Sequence, residues 1–162
     1  MTKAENNAAE VPSGFGRKTA ATVEHPFCFA CGRENPSGLG LHFTSSRDGW
    51  VKAVFACSGC YCGYDGILHG GVIATLLDAA MTHCLFAGGI VAVTVEINVQ
   101  FRHPVVLNVP VIVSACRERS LGIFHLTRGR LIQNNIIVAR ATGKFVIRKD
   151  GLAPASGGKG EG

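Results

Sequence analysis

Between residues 91 and 102 apolar and polar side chains alternate without a break. Val91, Val93, Val95, Ile97, Val99 and Phe101 stand against Ala92, Thr94, Glu96, Asn98, Gln100 and Arg102. A period of two belongs to a strand, here half-buried with one apolar face. Pro104 stops it, having no N–H for a ladder. Three further strand-like runs follow, 109–119, 121–132 and 136–148, with Ser120-Leu121-Gly122 and Gln133-Asn134-Asn135 as turns. Upstream, 39–45 and 50–56 read as a hairpin closed by Ser46-Arg47-Asp48-Gly49.

Ahead of the alternating strand lies a different pattern. Residues 69 to about 87 are dominated by Ala, Leu and Met, and Gly88-Gly89 follows them. That predicts a helix ended by glycine. It is apolar nearly all round, so it should be covered on most sides. Two strands, one long apolar helix and four strands or strand halves make an α+β chain. A curled antiparallel sheet is the compact way to cover such a helix.

The domain plan is a flexible arm over 1–24, one compact unit over 25–150 and a flexible tail over 151–162, rich in Gly, Ala and Ser. The arm is polar, with neither a secretory pattern nor a DNA-binding helix pattern, and a cytoplasmic location is the expectation. The apolar run at 72–87 is interrupted by Asp78 and His83 and is short for a bilayer, so no membrane is expected. Net charge is +5, from 16 Lys/Arg over 11 Asp/Glu. An anionic ligand suits that balance, but no basic run is interleaved with aromatics, so nucleic acid is not expected.

Asp78 is the residue that asks for a reason. It stands between Leu76, Leu77, Ala79 and Ala80, where a carboxylate loses hydration. Either Thr75 and Thr82, on the same helical face, hold it as a structural acid, or it does chemistry. His69-Gly70-Gly71 opens the helix, where N–H groups lack internal partners and could hold an oxygen that turns negative during attack. Eight residues separate Gly70 from Asp78, roughly 12 Å along a helix axis. Either they are not one site, or the helix start of one subunit meets Asp78 of another.

These residues resemble a known family. The stretch Gly66-Ile67-Leu68-His69-Gly70-Gly71-Val72-Ile73-Ala74-Thr75-Leu76-Leu77-Asp78 is similar to the signature of PaaI-like hotdog-fold acyl-CoA thioesterases. Residues 93–104 resemble the strand after their central helix, and 28–43, with Cys28-Phe29-Ala30-Cys31-Gly32, a lead-in of one branch. The resemblance implies a hotdog fold, a curved antiparallel sheet wrapped around one long helix. It implies hydrolysis of acyl-CoA to free acid and CoA at a site between subunits of a homodimer or homotetramer, with no cofactor required. Asp78 would activate water or attack directly, Gly70 and Gly71 would hold the thioester oxygen, and Thr94 would help place the water. Many relatives carry Asn six residues before the His, and here that position is Gly63. Thr94 also lies on the polar face of its strand, and reaches Asp78 only if the strand bends or an interface folds over it.

Two other functions use the same residues: a dehydratase or hydratase of acyl thioesters with His69 as base, and a non-catalytic acyl-CoA-binding module. Arg102, Arg117, Arg128 and Arg130 are candidate partners for CoA phosphates. Seven cysteines complete the inventory. Cys28-x2-Cys31 and Cys57-x2-Cys60, with Cys62 and His25 in reserve, have zinc-ribbon-like spacing within each pair, joined by a segment longer than in common ribbons. Buried thiols are the default reading of the same residues.

Overall fold

The computed structural model describes residues 25–147. The arm at 1–24 and the tail at 151–162 lie outside the described residues. Six strands and one long helix follow in the order β1 (Thr44–Ser45), β2 (Trp50–Phe55), α1 (Gly70–Ala87), β3 (Ala92–Phe101), β4 (Val111–Leu121), β5 (Phe124–Gln133) and β6 (Ile136–Ile147), with a single 3-10 turn at Gly59–Tyr61. All strand pairs are antiparallel, in the order β1-β2-β4-β5-β6-β3. The helix lies against β2 to β6.

The inward face of the sheet alternates as a strand must. Thr127, Gly129 and Leu131 of β5 and Ala139, Ala141, Gly143 and Phe145 of β6 turn towards the helix, while Arg128, Arg130, Arg140 and Thr142 turn away. Leu76, Leu77, Ala80, Met81 and Leu85 meet that face at no more than 1% exposure. Each large apolar side chain so buried contributes about 1.5–3 kcal/mol. By length and hydropathy α1 could also cross a membrane. In this fold it is the core helix, with nine buried residues.

Three sequence expectations need correction. Residues 39–43 are not part of the first strand: Gly40 has φ +64°, which breaks an extended run. The N–H groups of Leu39 and Leu41 donate instead to the carbonyls of Phe29 and Ala30. Leu121 belongs to β4, paired with Phe124, so the turn is Gly122-Ile123 with Gly122 at φ +59°. Gln133 closes β5, and Asn134-Asn135 alone make the next turn. Both asparagines sit in the left-handed region (φ 49° and 63°), as a type I′ hairpin requires.

Gln133 does more than end a strand. It is 4% exposed. Its amide accepts from Val106 N–H and donates to the carbonyls of Val106 and Val109, each at 2.9 Å. One side chain thus pins the loop that follows β3. Gln133→Leu keeps the volume and strands three backbone groups, at about 1–3 kcal/mol. A urea midpoint unchanged from wild type would show that water takes over those bonds.

Candidate active site on the central helix

The helix begins where the sequence places it. His69 is the N-cap, with extended backbone and Nδ1 accepting from Gly71 N–H at 2.9 Å. That cap uses one of the first-turn donors. Gly70 N–H has no partner among the described residues. An accepting Nδ1 puts the ring proton of neutral His69 on Nε2. The Phe101 ring lies beside Gly70, 3.6 Å from where a Cβ would stand there. Phe101 is 57% exposed and roofs the helix start. Sequence reading placed it on the greasy face of β3 without seeing that role. At Gly63 a Cβ would stand 3.0 Å from His69 Cα, so the segment before the helix packs directly on the cap residue.

Asp78 is half-buried on the one helical stripe that the sheet leaves open, with Gly71, Thr75 and Thr82. Thr75 does not hold it: that hydroxyl donates to Gly71 O at 3.0 Å. Thr94 does, its Oγ1–H donating to Asp78 Oδ1 at 2.8 Å. Desolvation raises the Asp78 carboxyl above its ordinary value, and the Thr94 bond partly opposes that rise.

The reason Thr94 reaches the helix is a β-bulge. In the β3–β6 ladder, Thr94 pairs with Phe145 and Glu96 with Lys144, so the register slips by one residue between them. An extra residue in one strand reverses its inside-outside parity. Beyond the bulge Ile97, Val99 and Phe101 pair with inward Gly143, Ala141 and Ala139. Before it, Ala92 and Thr94 take the inward side, and Val93 and Val95 are exposed at 39% and 54%. The single apolar face expected for 91–101 therefore holds only in its second half. Of the two ways in which Thr94 can reach Asp78, a bend in the strand or an interface folded over it, the bulge supplies the first.

The four candidate arginines separate. Arg128 and Arg130 lie on the outer face of the sheet over Trp50, at 5.6 and 4.3 Å from its ring centre. There they line a groove of about 420 Å³ on the side away from the helix. Arg117 stands by the helix C-terminus, its Nη1 3.8 Å from where a Cβ of Gly88 would lie, a favourable place for a cation. Arg102 follows Phe101, the residue whose ring lies beside Gly70, and its N–H donates to Val138 O at 2.9 Å. The cysteine pairs do not join: Cys60 contacts Ser58 and Cys62 donates to Tyr64 O.

A curved antiparallel sheet around one helix, with an acid on the open stripe of that helix, is a hotdog-fold protein. Residues 65–118, from the loop before α1 into β4, match the family model of the thioesterase superfamily. Among known proteins, the acyl-coenzyme A thioesterase THEM4 of Bos taurus is 33% identical over 86 residues, which is 52% of this chain and 35% of that protein. The chain thus spans about a third of the length of that curated relative. Protein RHA08564, a thioesterase superfamily protein, superposes with a TM-score of 0.72 at 24% identity, over 75% of this chain and 60% of its own. The PaaI protein of the E. coli phenylacetic acid degradation operon gives 0.63 at 18% identity, over 68% and 80%. The resemblance read from the helix motif is borne out in fold, and the family model matches the stretch from Asp65 through that motif into β4.

Proposed function

We propose that this chain hydrolyses the thioester bond of acyl-CoA, releasing a free acid and CoA. The observation that carries the reading is the 2.8 Å bond from Thr94 to Asp78. It orients a carboxylate on the open stripe of an otherwise apolar helix and leaves its second oxygen for a water or a carbonyl carbon. Ionised Asp78 acts as general base on water or as direct nucleophile. The thioester oxygen, negative in the transition state, is held at the helix start, where Gly70 offers its N–H and Gly71 can offer its own if the His69 cap yields. Arg102, next in sequence to the Phe101 that roofs that start, is the cation we assign to a CoA phosphate. An acyl-CoA substrate is in keeping with the name of the 33%-identical relative.

One subunit does not complete this site. Gly70 and Asp78 stand roughly 12 Å apart along one helix, too far for one carbonyl. A second copy closes the gap, and we read the assembly as a homodimer or homotetramer. In its support, β3 is a sheet edge paired among the described residues with β6 alone, and Val93, Val95 and Phe101 stand exposed along it. The His69 tautomer favours hydrolysis over the dehydratase reading, because Nδ1 is engaged and Nε2 carries a proton, which makes the ring a donor.

Thiol release from a panel of acyl-CoAs tests the reading. A hydrolase liberates CoA, a dehydratase alters only the acyl part, and a binding module does neither. Within the assay, Thr94→Ala is expected to lower kcat about 10–100-fold, the loss of a hydrogen bond to a charged group. It also removes what holds the Asp78 carboxyl down, so the acid limb of kcat/KM moves to higher pH. Thr94→Ser keeps the hydroxyl and most of the rate. If Thr94→Ala left both the rate and the acid limb unmoved, the threonine would have no part in the site.

A further inference from the structure

We infer that His25, Cys28 and Cys31 bind a zinc ion that ties the segment before β1 to the C-terminal end of the central helix. The three side chains each offer a donor atom, and all three donors lie within 4.8 Å of one another. No other such group occurs among the described residues. This is a different set from the two cysteine pairs suggested by spacing, since Cys57 and Cys60 are elsewhere.

The backbone is already folded for the purpose. Cys28 N–H donates to His25 O at 3.0 Å and Gly32 N–H to Cys28 O at 2.8 Å, which curls 25–32 into a knuckle with its three donors on one side. Gly32 makes that possible. A Cβ there would stand 2.4 Å from Cys28 N and 2.5 Å from Pro26 O, inside backbone atoms that cannot give way. Further bonds fasten the knuckle: Asn35 Nδ2 donates to Phe27 O, and Leu39 and Leu41 N–H to Phe29 O and Ala30 O. The donors are thus held without a metal, which reduces the ordering cost of binding one.

The chemistry of the set fits zinc. Two thiolates and a neutral imidazole balance a divalent cation in charge, so the ion can sit in a half-buried place. Soft sulfur donors favour zinc over magnesium or calcium. His25 Nε2 is shielded from solvent and has no hydrogen-bond partner, an unusual state for a buried polar atom. The imidazole also packs edge-on against Phe86 of the helix, ring centres 5.0 Å apart. A bound ion therefore fixes the knuckle to the helix through the His25 ring. His83, stacked on Phe43 and edge-on to the same Phe86, lies outside the group. Three protein donors and one further ligand then make up the tetrahedron.

The test is elemental analysis of the full chain, prepared without a polyhistidine tag and with zinc in the medium. About one zinc per chain is expected. Replacement by cobalt(II) should give a thiolate-to-cobalt charge-transfer band in the near ultraviolet. Cys28→Ser with Cys31→Ser should lose the metal and the band, while Cys57→Ser and Cys60→Ser keep both. Wild-type protein with neither stoichiometric zinc nor the cobalt band overturns the inference whether or not any variant folds. So does an intact mass 2 Da low from a Cys28–Cys31 disulfide, or full zinc in the double variant. None of these readouts uses hydrolysis, so the proposed activity and this site stand or fall separately.

Discussion

Asp78→Asn is expected to lower kcat for acyl-CoA hydrolysis about 10³-fold, within the range spanned by general bases, and to leave the protein as stable as wild type or more so. The two halves have one cause. Asp78 is held on an apolar helix where desolvation raises its carboxyl above the ordinary value. A group whose folded pKa exceeds its unfolded pKa binds protons more readily in the native state. Its ionised form therefore costs stability at neutral pH. That cost fades as pH falls through the folded pKa towards the unfolded one. Asn is neutral and keeps an oxygen for the Thr94 hydroxyl, so it removes the cost and the base together. Melting temperature measured against pH should be flatter in the variant on the weakly acidic side. In the wild type the acid limb of kcat/KM should lie above the ordinary aspartate value, because activity requires the ionised form. Near-normal turnover by Asp78→Asn would end the assignment.

Gly143→Ala should be the most damaging small change in the sheet. A Cβ at 143 would stand 2.6 Å from Phe145 Cε2, 2.9 Å from Thr127 Oγ1 and 3.1 Å from Met81 Sδ. All three neighbours are fully buried, so none can swing aside into solvent. Overpacking of this kind costs about 1–3 kcal/mol. The gain from stiffening the unfolded chain, about 0.4–1 kcal/mol, is smaller and does not cancel it. A chain of this size loses roughly 2–4 °C of melting temperature per kcal/mol. Trimming the nearest neighbour in Gly143→Ala/Phe145→Leu should recover part of the loss, since contacting sites are not additive. If the single variant melted within 1 °C of wild type, β6 and the helix would be less tightly packed than the distances imply.

Gly143 also bears on the site. It is paired with Ile97, one residue past the bulge partner Glu96, and it lets the sheet come close to Met81. A larger residue there should move β3 relative to the helix. The distance from Thr94 to Asp78 depends on that same spacing.

Much of this was legible in the residue pattern. The apolar run of α1, its opening at His69-Gly70-Gly71 and its glycine stop follow from local chemistry, and the helix spans Gly70–Ala87. The turn at Asp48-Gly49 announces itself because few residues tolerate a positive φ, and the asparagines at 134 and 135 mark the next one to within a residue. Asp78 stood out because a charge on an apolar helix needs compensation. The link from Thr94 to Asp78 was not legible, since alternation at 91–102 is unbroken and says nothing of a bulge. The slip is set by how β3 lies along β6 around the curve of the helix, a relation between strands far apart in sequence. The meeting of His25 with Cys28 and Cys31 was hidden for a similar reason. Spacing within each cysteine pair is visible in the chain, but which pair meets which histidine depends on how the knuckle packs on Phe86.

Sequence by itself determined the long helix, the order of the strand runs and the acid on the helix, because these depend on neighbours within a few residues. Tertiary structure alone decided which way Thr94 faces and which cysteines gather, because strand parity and donor clustering are properties of pairing across the fold.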